Sequence, residues 1–115
     1  MAHSSLFEHI KLRKLVRRLG MPRPHVVGHL ECLTHYVSHH HPTGDITGLA
    51  DEDIELAAEW EGEPGAFVAA AIAERFVDRD EEGTRIHDWM DWAPDWVKKR
   101  VRRAAAASRT ERPSQ

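Results

Sequence analysis

Glycine and proline fall in tight clusters along this chain, and the clusters decide how long any element can be. They stand at Gly20, Pro22 and Pro24, at Pro42, Gly44 and Gly48, at Gly62, Pro64 and Gly65, at Gly83, and at Pro94. Glycine reaches positive φ without strain, and proline fixes φ and removes a donor, so each cluster closes one element and opens another. What lies between them has to be a set of short helices and short extended pieces.

The first interval predicts a helix over Leu6–Leu19. Leu6, Ile10, Leu12, Leu15, Val16 and Leu19 recur at helical spacing, with Ser4 or Ser5 placed to cap and Gly20 placed to terminate. The second predicts a helix over Pro24–His40, with an apolar stripe of Val26, Leu30, Leu33 and Val37. Residues 41–49 read as a turn, a very short extended piece and another turn. Asp51 is expected to cap a third helix over Glu52–Trp60, with Ile54, Ala57 and Ala58 inward. Pro64 is expected to open a fourth, Pro64–Arg75, with Phe67, Val68, Ala71 and Ile72 inward. Phe76–Asp78 and Arg85–Trp89 are β-compatible, and the Arg79–Thr84 link carries Gly83, which predicts a hairpin. Pro94 and Asp95 open a last helix lined by Val97, Val101 and Ala104.

The fold class expected is mainly α with a small β-hairpin. Three helices followed by a hairpin is the order of a winged helix-turn-helix, here with extra N- and C-terminal helices. Pro64–Arg75 takes the place of the recognition helix and Arg79–Thr84 that of the wing. The expected domain is residues 1–108. Residues 109–115 contain no apolar side chain and are expected to form a frayed or disordered polar tail.

At 115 residues there is room for one core. No apolar run approaches the roughly 20 residues needed to cross a bilayer, so no membrane partner is expected. Met1 to Leu19 lacks the apolar block of a signal peptide. Cys32 is the single cysteine, which rules out an intrachain disulfide and suits a reducing cytoplasm. The net charge of −3 conceals a segregation. Residues 1–23 hold six basic and one acidic side chain, residues 24–95 three basic and seventeen acidic, and residues 96–115 seven basic and one acidic. Basic ends flank an acidic middle, which bears on partners rather than on fold.

Specific residues accompany the order of elements. Gly28-His29-Leu30-Glu31 leads to Pro42-Thr43-Gly44-Asp45-Ile46, then to Asp51-Glu52-Asp53-Ile54 and Ala57-Ala58-Glu59-Trp60. Gly62-Glu63-Pro64-Gly65-Ala66-Phe67-Val68 follows, and Phe76-Val77-Asp78 and Ile86-His87-Asp88-Trp89 close the series. Over roughly Leu6 to Trp92 the chain resembles the N-terminal winged-helix domain of phage replisome-organiser and DnaD-type replication proteins. The resemblance implies a DNA-associated assembly, often in replication initiation. Larger members carry a second, C-terminal domain, and this chain is expected to be too short for one. It departs from the pattern at Arg75, where such sequences often place a glycine, and at Thr34, where an aromatic is common.

Duplex affinity comes mainly from cations at phosphates, and specificity from side chains at base edges. The start of the fourth helix reads Glu63-Pro64-Gly65-Ala66, which offers a carboxylate and small groups. Sequence-specific reading of the major groove is therefore not expected from it. The expected DNA contacts are electrostatic: Lys11, Arg13, Lys14, Arg17 and Arg18 on the first helix; Arg75, Arg79 and Arg85 around the hairpin; and Lys98, Lys99, Arg102 and Arg103 on the last helix. The competing reading is that these are ordinary solvated helix faces. The alternative function is a protein-interaction or homodimerisation module, in which the acidic middle meets the basic ends of a neighbour. Trp89, Trp92 and Trp96 would be candidate anchors for it. Trp89 also suits core packing, and Trp92 and Trp96 suit joining the last helix to the body.

Nine histidines invite a metal reading. His25, His29 and Cys32 share a helix face, but no second cysteine or paired motif completes a zinc set, so no metal and no cofactor are assigned. His87-Asp88 are neighbours on a strand and are expected to point to opposite faces, and Cys32 reads as a small helix residue. No enzyme activity is assigned.

Overall fold

The computed structural model describes residues 6–111, with side-chain surroundings from Ile10 to Ala107. Its elements run α1 (Leu6–Leu19), α2 (Arg23–His40), α3 (Asp51–Ala57), α4 (Ala66–Ala73), β1 (Val77–Asp80), β2 (Gly83–Ile86), α5 (Trp89–Trp92) and α6 (Asp95–Glu111). The architecture is mainly helical with one small antiparallel hairpin, the coarse class expected.

Helix α1 ends where Gly20 takes φ 64° and its N–H bonds the Val16 carbonyl. Helix α2 starts behind Pro22 with Pro24 in its first turn, one residue earlier than expected. Its stripe divides between two cores. Val26 joins Leu15 of α1 and Ala70 of α4 in one cluster. Leu33 and Val37 join Ile46, Ile54, Phe67, Val68, Trp89 and Val97 in the other. Helix α4 reads Ala-Phe-Val-Ala-Ala-Ala-Ile-Ala and is the wall common to both. Its bulky Phe67 and Val68 face the second of these cores, and the residues it leaves exposed are the small Ala69 and Ala73.

Helices α3 and α4 are both shorter than the sequence predicts. After α3, Glu59 takes φ 57°, its N–H bonds the Leu56 carbonyl, and the Trp60 N–H reaches back to Glu55. After α4, Arg75 takes φ 65°, its N–H bonds Ile72, and the Phe76 N–H reaches Ala71. Both are Schellman endings with a left-handed residue that is not glycine. At the N-terminal ends, Asp51 is the first residue of α3 rather than its cap, and Asp53 Oδ2 accepts the Ala50 N–H instead. Pro64 lies before α4, and Gly65, at φ 86°, is the capping residue.

The hairpin pairs Val77 with Ile86 through to Asp80 with Gly83, so the turn is only Glu81-Glu82. The first strand starts one residue later and runs two residues further than expected, and the second starts two residues earlier and stops at Ile86, before Trp89 opens α5; the expected Arg79–Thr84 link thus shrinks to two residues. Asp45 adds a bridge on the free edge of β2. The Ile46 N–H bonds the Thr84 carbonyl at 2.9 Å, and the Ile86 N–H bonds the Gly44 carbonyl at 3.0 Å. Thr47 fastens this corner: its Oγ1 lies 2.5 Å from Asp45 Oδ1 and accepts the Thr84 N–H. Gly44 is required here. It holds φ 85°, and a Cβ on it would come within 2.4 Å of the Trp89 ring, whose Nε1 donates to the Pro42 carbonyl.

Helix α6 is anchored by its first turns alone. Val97 is buried and Val101 half-buried, while residues 102–107 are all exposed. The helix continues to Glu111, past the expected domain boundary at residue 108 and into the expected polar tail. Ala104–Ala107 have a high intrinsic preference for helix, which suits an exposed stretch. Residues 112–115 of that tail lie outside the described residues. The radius of gyration is 15.6 Å and the longest extent 56 Å. A compact chain of this length has a radius near 13 Å, and the excess fits a helix that overruns the body. Among the described residues no helix is long and apolar enough to cross a membrane.

Candidate nucleic-acid interface

The twelve cations expected to meet DNA fall into two groups. One group is already engaged. Lys11 is 8% exposed, with its Nζ 4.5 Å from the centre of the Phe76 ring. Arg18 is bound to Glu74 at the end of α4. Arg75 is 3.9 Å from Asp78. Arg79 pairs with Asp51 at 2.6 Å and donates from Nε to Thr84 Oγ1. Arg85 grips Asp80 with two guanidinium nitrogens, the closer at 2.6 Å. That grip, helped by the Glu82 N–H, lowers the Asp80 pKa to about 2 and raises that of Arg85. The exposed tip of the hairpin is Glu81-Glu82. The hairpin therefore presents carboxylates and neutralised arginines, not a cationic wing.

The other group is unneutralised. Arg13, Lys14 and Arg17 are exposed on α1, and Lys99, Arg100, Arg102 and Arg103 are exposed on α6, with Lys98 half-buried. None of these has a carboxylate partner among the described residues. Arg100, left out of the expected contacts although it adjoins them, belongs here. The stretch 96–110 holds six cations and no acid.

Helix α4 offers nothing to a base edge. From Ala66 to Ala73 it has no polar side chain, and Phe67, Val68, Ala70 and Ala71 are buried. Its N-terminal end, where backbone donors and the helix dipole favour an anion, is taken by Glu55. This side chain is 6% exposed, and its two oxygens accept the Gly65 N–H at 2.9 Å and the Val68 N–H at 3.1 Å. A carboxylate from α3 thus sits where a phosphate would bind. The periodicity of α3 shows Glu55 only as one more charge on an acidic helix, so nothing in the sequence marks it.

The histidines divide in the same way between structure and surface. His29 donates from Nδ1 to the Ala58 carbonyl at 2.8 Å and rests edge-on against Trp60 and Phe67. His35 lies against His39 with ring centres 4.5 Å apart, and His39 against Trp96 at 5.1 Å, both pairs tilted. Among the described residues no three His, Cys, Asp or Glu side chains gather as a metal-ligand set. His87 and Asp88 do meet, contrary to the strand argument. Asp88 adopts φ 53°, which leaves His87 between Asp78 Oδ2 at 2.7 Å and Asp88 Oδ2 at 3.4 Å. Trp89 packs in the core, whereas Trp96 is 43% exposed. No family model matches the chain, and neither a curated protein nor a solved structure matches it.

Proposed function

We propose that this chain is a winged-helix domain of the kind found in phage-like replication and regulatory proteins, and that it binds DNA through the phosphate backbone. The order α2, Asp45 bridge, α3, α4, β1, β2 supports the fold reading, with α1, α5 and α6 as additions. The observation that carries the functional reading is α6: an overhanging helix with a run of exposed, unneutralised cations. The exposed face of α1 adds Arg13, Lys14 and Arg17. Neither α4 nor the hairpin takes part, because one is apolar and capped by Glu55 and the other is neutralised.

Binding of this kind releases counterions, so log K falls with log salt by about 0.9 per phosphate neutralised. Four exposed cations on α6 give a slope of about −4. Duplexes of unrelated sequence bind alike. The double variant Lys99→Glu/Arg103→Glu flattens the slope by about 2. Fluorescence anisotropy across a salt series measures this. A flat response in the unmodified chain, or an unchanged slope in the double variant, sinks the proposal.

A further inference from the structure

A groove of about 860 Å³ lies between α2 and α3 and takes no part in the DNA reading. Gly28 and Cys32 line it on α2, and Leu56 lines it on α3. Its rim carries Glu31, Asp53 and Glu59, with His35, His39 and His40 beside them, and neither lysine nor arginine. Two of its residues have no purpose within one copy. Leu56 is 67% exposed, an apolar side chain left in water. Gly28 stands in the interior of α2, where glycine costs about 1 kcal/mol against alanine. Its φ is not positive, and a Cβ placed on it meets nothing within 4 Å. Neither backbone conformation nor internal packing calls for it. A glycine on an open helix face suits the close approach of another backbone.

We propose that this groove receives the overhanging half of α6 from a second copy, and that the exchange is reciprocal, making a two-fold dimer. Charge selects the occupant. The rim is acidic, and α6 beyond its anchored turns brings Arg102 and Arg103, with no acid between Asp95 and Glu111. Size agrees as well. Gly28 to His40 spans about 20 Å of helix, and Arg102 to Glu111 about 15 Å, so the overhang fits along the groove. Ala104–Ala107 lets the incoming backbone come close to Gly28. The chain's own α6 does not fill the groove, since residues 102–107 are exposed. It does leave the body beside it: Trp96 rests on His39, which lines one end. A two-fold axis near that end lays each helix across the neighbour's groove. Lys99 and Arg100, nearer the body, stay outside the groove. The dimer does not depend on the DNA reading, but it engages Arg102 and Arg103, so DNA held by those two residues competes with it.

Light scattering and sedimentation of the full chain, without nucleic acid and over a range of concentrations, test the dimer directly. The unmodified chain doubles in mass as concentration rises, and salt opposes the doubling. Gly28→Leu fills the groove floor and Arg102→Glu reverses the charge of the occupant; each remains a monomer with a circular dichroism spectrum like the parent's. Cys32, the single cysteine, reports occupancy. Burial, then Glu59 and Glu31, raise its thiol pKa, and its alkylation at fixed pH slows further as the dimer forms. A parent that stays monomeric, a dimer retained in either folded variant, or a Cys32 rate indifferent to concentration overturns the proposal. Should Gly28→Leu fail to fold, Arg102→Glu, on an exposed overhang, decides alone. Loss of DNA binding has no effect on these readings.

Discussion

Replacing Glu55 by glutamine removes one negative charge and almost no volume, yet it should be among the more damaging single changes in this chain. The carboxylate accepts two backbone N–H groups, from Gly65 and Val68, and is itself buried. An amide has one acceptor oxygen. Its NH2 would face the second donor, leaving one bond lost and one backbone N–H facing another donor. A hydrogen bond to a charged group contributes about 1.5–3 kcal/mol net, and a buried donor left unsatisfied costs about 1–3 kcal/mol. Part of each figure counts the same desolvation, so the expected loss is about 3 kcal/mol. At about 4 °C per kcal/mol for a chain of this size, that is a fall in Tm of about 12 °C. Urea denaturation followed by circular dichroism measures it, with Glu52→Gln as the control. Glu52 is exposed on the same helix and should stay within about 0.5 kcal/mol of the parent. If Glu55→Gln matches that control, the buried cap is not what holds the start of α4, and the account of why no phosphate can bind there fails with it.

Arg75→Gly should stabilise the chain by about 0.5 kcal/mol. Left-handed backbone costs a non-glycine residue roughly 1–2 kcal/mol, the freer unfolded chain returns part of the gain, and a 3.9 Å pair with a largely exposed guanidinium adds little. Arg75→Ala keeps the strain, so equal stabilities for Ala and Gly would refute the reasoning. Asp80 titrates near 2 when folded, below its ordinary 3.8. Its folded-state pKa is depressed, so its contribution is present above about pH 4 and disappears as pH falls towards 2. In Arg85→Gln, NMR titration should find the Asp80 carboxyl moved back towards 3.8, and the acid limb of stability should be shallower there. An unmoved Asp80 would mean that the guanidinium is not the cause.

The end of α1 and both bounds of α2 were legible to within a residue because Gly20, Pro22 and Pro42 act locally. So was the burial of α4, since eight residues without a polar side chain leave no other course. The ends of α3 and α4 were not. Glu59 and Arg75 adopt a conformation that their residue types seldom take, and only the hydrogen bonds of the following turn call for it. The cationic surface was half legible. Composition located the charges correctly, but it could not pair Arg79 with Asp51, Arg18 with Glu74 or Lys11 with Phe76, contacts that exist only after distant segments have packed. Glu55 is the clearest case: an apparently solvated acid whose role depends on a helix that begins eleven residues later. The α5 turn was missed because its four residues hold three aromatic or sulfur side chains in no recognisable period.

Both cores lean on one segment, Ala66–Ala73, which supplies Phe67 and Val68 to one cluster and Ala70 to the other. Neither cluster can loosen far without exposing a face of that helix, and the helix has no polar face to turn outward in exchange. The body should therefore open as a single cooperative unit, with the amides of α4 among the last to exchange with solvent. The same enclosure constrains how the chain is made. Until α1, α2 and α3 have gathered around it, this eight-residue stretch is the part of a nascent chain most exposed to self-association. Three of its walls precede it in the sequence, but Trp89, Ala93 and Val97, which complete the cluster around Phe67 and Val68, follow it, so its cover is finished only once the start of α6 has been made.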